Sequence, residues 1–217
     1  MLVRDRDGLE VLMVERNGSL LFGPGALVFP GGKLEAQDFE PGWCADTIGW
    51  EAVDSEARAL RICAVRETFE ETGVLLVRAP HQGPDGTRTI RQSLRAAVAL
   101  GDLTFRGAVR SNGLKLDLTV LTPFARWITP ERQPIRFDAA FFLARAPEGQ
   151  DPSPDGEETV AAEWLRPAVA LRLADSGKRK LMRPTRANLL LLGASDSFEA
   201  ARMAALARPT TTVLQID

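Results

Sequence analysis

Histidine is almost missing from this 217-residue chain, His81 being the single one, and cysteine occurs only as Cys44 and Cys63. The shortage excludes a multi-histidine zinc site, a cysteine-rich zinc ribbon and a disulfide scaffold. A Ser-His-Asp or Cys-His nucleophile would have to recruit His81, which stands in Pro80-His81-Gln82-Gly83-Pro84, a stretch that reads as a surface loop. No apolar run reaches the roughly 18 residues of a membrane span, and none follows the opening charges as a signal peptide requires. Neither sign of charge dominates: 27 Lys and Arg face 29 Asp and Glu, a net charge of -2. That balance argues against nucleic acid or anionic membrane as a partner. Internal repeats and low-complexity linkers are missing too. What is present is ordinary: 45% hydrophobic and 26% charged residues, enough for the core of one domain over residues 1–217. Two cysteines without a secretory context read as a reducing, cytoplasmic setting. Chemistry must therefore rest on carboxylates, Arg or Lys, and a hard metal ion.

Patterning suggests a mixed α/β chain. Leu9 to Arg16 alternates as a strand and ends at Asn17-Gly18; Ala26 to Phe29 is a second short strand before Pro30-Gly31-Gly32. Residues 39–54 are irregular. From Ser55 the periodicity turns helical and stops at Gly73, a C-cap glycine. Val74 to Val77 follows as a strand, Thr87 to Leu100 and Leu103 to Ser111 as helices. Ala125 to Thr129, Arg136 to Ala144 and Glu158 to Trp164 read as strands. Pro167 to Ser176, Thr185 to Leu192 and Ser197 to Ala207 read as closing helices. Strands interrupted by helices without strict alternation predict a mixed β-sheet sandwiched between helices.

The informative segment is Arg66-Glu67-Thr68-Phe69-Glu70-Glu71-Thr72-Gly73-Val74. At about 100° per residue, Glu67, Glu70 and Glu71 share one face, and Ile62, Val65 and Phe69 form a buried stripe opposite. Three carboxylates so close repel one another and oppose the negative end of the helix dipole. One guanidinium, Arg66, cannot neutralise them. A cation to hold is the natural reason for such a trio, and oxygen ligands without histidine select Mg²⁺ or Mn²⁺ over zinc.

These residues resemble the Nudix hydrolases, whose box reads G-x5-E-x7-R-E-U-x-E-E-x-G-U with U aliphatic. The second half is present with Thr68 at the first aliphatic position. The first half matches Gly32 with Asp38 in the place of Glu, but 27 residues (39–65) separate Asp38 from Arg66. A box split by about 20 extra residues is characteristic of one branch, which resembles the peroxisomal coenzyme A diphosphatases of animals and their bacterial relatives. Phe22-Gly23-Pro24-Gly25-Ala26-Leu27-Val28-Phe29-Pro30, Trp127-Ile128-Thr129-Pro130, Arg136-Phe137-Asp138 and Pro184-Thr185 with Asn188-Leu189 look like further segments of that branch. The resemblance implies a single Nudix domain. It would carry an insertion at about 39–57 within the box, a helical insertion at about 84–115 and C-terminal helices at about 184–207.

It also implies a site. Glu67, Glu70 and Glu71 would bind divalent cations together with a backbone carbonyl of Gly31 or Gly32, and Arg66 would orient them. Glu157 or Glu158 would add a late-loop carboxylate, and Glu67 or Glu158 would take the proton of the attacking water. Arg16, where the coenzyme A-cleaving relatives carry a motif arginine, would bind substrate phosphate; a second arginine of that motif is here Leu21. The implied substrate is a small nucleoside diphosphate, coenzyme A or acyl-coenzyme A giving 3′,5′-ADP and a phosphopantetheine. ADP-ribose, dinucleotides and a non-catalytic nucleotide sensor are the alternatives. The arginines in 87–111, including Arg88, Arg91, Arg95, Arg106 and Arg110, suit either a cap over the sheet or a lid over an anionic substrate. Trp43, Trp50, Trp127 and Trp164 read as packing anchors. Oligomeric state is open, a homodimer included.

Overall fold

The structure, a computed structural model, describes residues 1–78, 93–129, 136–208 and 213–215. His81, Arg88, Arg91 and the start of the helix expected from Thr87 lie outside the described residues. The strands are β1 Leu2–Asp5, β2 Leu9–Arg16, β3 Ala26–Val28, β4 Thr47–Ile48, β5 Val77–Arg78, β6 Lys115–Asp117, β7 Thr122–Ile128, β8 Asp138–Arg145, β9 Thr159–Leu165, β10 Lys180–Leu181 and β11 Val213–Gln215. The helices are α1 Trp43–Asp46, α2 Ser55–Thr72, α3 over 93–99, α4 Phe105–Ser111, α5 Pro167–Asp175, α6 Arg183–Leu192 and α7 Phe198–Leu206. The chain is thus mixed α/β, as its patterning suggests. It divides into two compact units: Met1–Phe29, Thr122–Ala146 and Val160–Asp217 form one, Pro30–Leu121 and Pro147–Thr159 the other.

The first unit is built on an eight-stranded mixed sheet in the order β10-β3-β2-β1-β8-β7-β11, with β9 also paired to β2. β1 runs antiparallel to β2 and parallel to β8. Val11, Leu12, Met13 and Val14 are all buried, so both faces of β2 are covered rather than one. Its core joins Val3, Val11, Met13, Leu27 and Leu143 of the sheet to Ala170, Leu189 and Ala201 of the closing helices. β7 starts earlier than its expected Ala125. Pro123 is accommodated where the register with β8 shifts, which is where a ladder tolerates proline. Trp127 is buried and its Nε1 donates to Asn188 Oδ1 on α6 at 3.2 Å.

The second unit is organised around α2. Asp54 caps its first turn by accepting from the Ala57 amide at 2.9 Å, and Gly73 closes it at φ 71°, donating to the Phe69 carbonyl. The expected start at Ser55 and stop at Gly73 therefore have identifiable causes. The expected stripe of Ile62, Val65 and Phe69 is buried, and Arg66, Thr68, Glu71 and Thr72 are buried in addition. Around it, Trp43 and Phe69 both pack on Phe105, at ring distances of 5.8 and 5.7 Å. The segment 39–54, expected irregular, holds α1, β4 and a short 3-10 turn over Trp50–Ala52. It is tied by Arg106 to Asp46 at 2.9 Å and to Glu40 at 3.2 Å. β4 and β5 flank β6 in a small sheet.

The strand expected over Val74 to Val77 shrinks to β5 for a specific reason. The Gln150 side chain accepts from the Leu75 amide at 2.8 Å and donates to the Leu75 carbonyl at 3.0 Å, so a side chain stands where a strand partner would. No described helix is long and apolar enough to cross a membrane.

Candidate active site

Burial makes Arg66 the hub of the acidic end of α2. Its side chain is 2% exposed. Nε and Nη2 donate to the two Asp38 oxygens, each at 3.0 Å, and Nη2 also donates to the Lys33 carbonyl at 2.9 Å. Nη1 donates to Glu70 Oε2 at 3.0 Å and lies 2.9 Å from Glu67 Oε1. Asp38 is itself buried and fixed by the Glu35 amide, which donates to its Oδ2 at 2.9 Å. A forked guanidinium against a carboxylate is the strongest ion-pair geometry available to a protein. The shorter Asp38 thus meets Arg66 across the 27 residues that separate them.

The acids themselves are under electrostatic stress. Burial pushes the Glu70 carboxyl up to about 7, with Arg66 pulling it down and Glu67 pushing it further up. Glu67 is also raised, first by burial, with Arg66 opposing and Glu158 and Glu35 adding to the rise. Arg66 is held firmly protonated: its burial is outweighed by Asp38, Glu67 and Glu70. The neighbouring Cys63 thiol is pushed up to about 12 by burial and Asp38, an inert thiol.

The glycine turn meets this cluster. The Gly31 amide donates to Glu71 Oε2 at 3.0 Å. A Cβ on Gly32 would overlap the Glu67 carboxylate, so only glycine lets that side chain lie against the turn.

Helix ends leave carbonyls without helical partners, and here each one is taken. The Phe69 carbonyl receives the Gly73 amide at 2.7 Å, Glu70 the Arg95 Nε at 3.0 Å, Glu71 the Thr159 hydroxyl at 3.2 Å and Thr72 the Ser153 amide at 3.0 Å. The last two belong to the segment 153–159. It is wound about Asp155, whose Oδ1 accepts from the amides of Glu157, Glu158 and Thr159 at 2.5, 2.6 and 3.2 Å.

The structure therefore brings Arg66, Glu67, Glu70, Glu71, Gly31, Gly32 and Glu158 into one unit, and the Glu158 charge acts on Glu67. Arg16 belongs to the sheet unit, where it ends β2 and donates from Nε to the Phe22 carbonyl at 3.1 Å. Among the described residues no three His, Cys, Asp or Glu side chains converge as a metal cage. Arg66 and the Gly31 amide hold the acids instead. Sequence reasoning missed Asp155, Ser153, Gln150 and the specific role of Arg95. Asp155-Gly156 carries an Asx-turn signal; the other three carry none, because their partners are distant in sequence.

Known proteins are similar to this chain in sequence and fold. The family model described as NUDT19 Nudix domain matches residues 45–189. The human acyl-coenzyme A diphosphatase NUDT19 is 31% identical over 76% of this chain and 55% of its own length; the Xenopus laevis protein of the same name is 27% identical over 75% and 54%. This chain thus spans about half the length of the curated relatives it matches. The crystal structure of a NUDIX hydrolase from Alicyclobacillus acidocaldarius superposes with a TM-score of 0.70 at 32% identity, covering 93% of this chain and 92% of that one. The family match and the structural likeness agree, and the chain belongs to the Nudix hydrolases, in the branch of the NUDT19 Nudix domain.

Proposed function

We propose that the protein is a metal-dependent diphosphatase acting on coenzyme A or acyl-coenzyme A, yielding 3′,5′-ADP and (acyl-)phosphopantetheine. The observation that carries this reading is that Glu67 and Glu70 share Arg66 while Glu71 accepts from the Gly31 amide and Glu67 lies against Gly32.

The donor set fits a hard divalent cation. It is oxygen-only, and Glu67 and Glu70 share the one buried guanidinium of Arg66, which Asp38 also engages. Glu67, Glu70 and Glu71 with a carbonyl of Gly31 or Gly32 would hold Mg²⁺ or Mn²⁺. When bound, such an ion neutralises the diphosphate and acidifies water. The chain's own part is orientation and proton transfer. Arg66 fixes Glu67 and Glu70 relative to each other, which lowers the reorganisation needed at the moment of reaction. Water attacks one phosphorus in line, the bridging P–O bond breaks, and the other phosphate leaves. Glu67 and Glu158 are the two candidates to take the water's proton.

Support for the coenzyme A substrate comes from the relatives' activity, named acyl-coenzyme A diphosphatase, and from Arg16, whose planar guanidinium suits phosphate. The unpaired Cys44 and Cys63 suit the reducing cytoplasm. Coenzyme A, acyl-coenzyme A, ADP-ribose, dinucleoside polyphosphates and nucleoside triphosphates, each incubated with Mg²⁺ and resolved by chromatography, test the reading. Release of 3′,5′-ADP is the expected result. A preference for ADP-ribose displaces the substrate, and turnover of none of them leaves a nucleotide sensor. Glu67→Gln and Glu158→Gln, compared on kcat, then separate the two candidate bases.

A further inference from the structure

Arg95 stands on α3, outside the acidic box, yet it touches both halves of the site. Its Nε donates to the Glu70 carbonyl at 3.0 Å, and its Nη1 donates to the Ser153 carbonyl and the Ser153 hydroxyl, both at 3.0 Å. Ser153 in turn donates its amide to the Thr72 carbonyl and opens the Asp155 turn, which presents Glu158.

We propose that Arg95 is a positioning residue for the hydrolytic reaction, a strut that sets the Glu158-bearing turn against the end of α2. The inference rests on the hydrolytic reading of that site.

Stability alone is a poor reason for an arginine here. Its Nη2 is buried with no hydrogen-bond partner among the described residues, and leaving a donor unsatisfied is costly. Neutral side chains could cap one carbonyl without that penalty. Only a forked group reaches a helix carbonyl and a loop residue at once, which a lysine's single ammonium does not reproduce. Arg95 therefore couples the position of a loop carboxylate to the helix that bears the other three. Rigid support of this kind is what holds a constellation within the tolerance that rate demands.

The test uses the full chain and three variants, Arg95→Met, Arg95→Lys and the milder Ser153→Ala. Amide hydrogen exchange read at Glu157, Glu158 and Thr159 is the first measurement and needs no substrate. Both Arg95 variants should raise exchange there by about tenfold or more, with Ser153→Ala in between. The second measurement is kinetic. Arg95→Met and Arg95→Lys should lower kcat by up to about 100-fold with KM nearly unchanged. In the Glu158→Gln background Arg95→Met should add little, since the two act as a unit. Unchanged exchange at 157–159, rescue of kcat by lysine, or an equal loss of kcat in both backgrounds overturns the strut. If the parent protein turns over no diphosphate, the hydrolytic reading fails, while the exchange data still decide whether Arg95 orders the turn.

Discussion

Replacing Glu70 by glutamine should stabilise the metal-free protein at alkaline pH and leave it unchanged at acid pH. The Glu70 carboxyl is pushed from its ordinary 4.5 to about 7 because burial outweighs the pull of Arg66. A carboxyl whose folded pKa lies above its unfolded value takes up a proton on folding between those two pH values. The folded state consequently loses stability as pH rises from about 4.5 to about 7, and the loss is complete above that window. At full strength the shift corresponds to about 3.4 kcal/mol. The side chain is 32% exposed, so solvent screening reduces the effect to about 1–2 kcal/mol. Glutamine mimics the protonated acid and keeps an oxygen for Arg66 Nη1, so it escapes the penalty. Thermal unfolding in chelator at pH 5 and pH 8 reads the difference. Glu70→Gln and parent should match at pH 5, and the variant should melt roughly 3–6 °C higher at pH 8. Mg²⁺ should then raise the parent more than the variant. A gap between the two proteins that is the same at both pH values refutes the claim that burial strains this carboxyl.

Two further outcomes follow from the same cluster. Arg66→Lys should destabilise the fold by about 3–5 kcal/mol, because an ammonium cannot satisfy both Asp38 oxygens and strands a buried carboxylate; an unchanged denaturant midpoint counts against the hub. Gly32→Ala should lower kcat by about 10- to 100-fold through displacement of Glu67, while its melting temperature stays near that of the parent. Full activity in that variant means the turn and Glu67 do not need their close approach.

Several main elements and the acidic cluster were legible in the chain because both depend on local pattern, whereas the short strands β1, β4, β6 and β10 carried no such signal. Alternation marked β2, Gly73 marked the end of α2, and the run from Arg66 to Val74 announced a carboxylate trio with its arginine. Asp38 was legible too, as the acid six residues after Gly32, despite the long insertion. What local pattern could not convey is who meets whom across distance. It put the carboxylates of α2 on one face and a buried stripe opposite, but could not show that tertiary packing buries Arg66 and Glu71 as well or that Glu70's own burial raises its carboxyl. It gave Val74 to Val77 as a strand, whereas Gln150 takes the Leu75 backbone groups. It left Arg95 among five undifferentiated arginines, whereas the fold sets it between the Glu70 carbonyl and Ser153. Composition and spacing determine which groups a protein owns and which face of an element they occupy. Desolvation and long-range hydrogen bonding, which set their charge and reach, exist only once the chain has closed on itself.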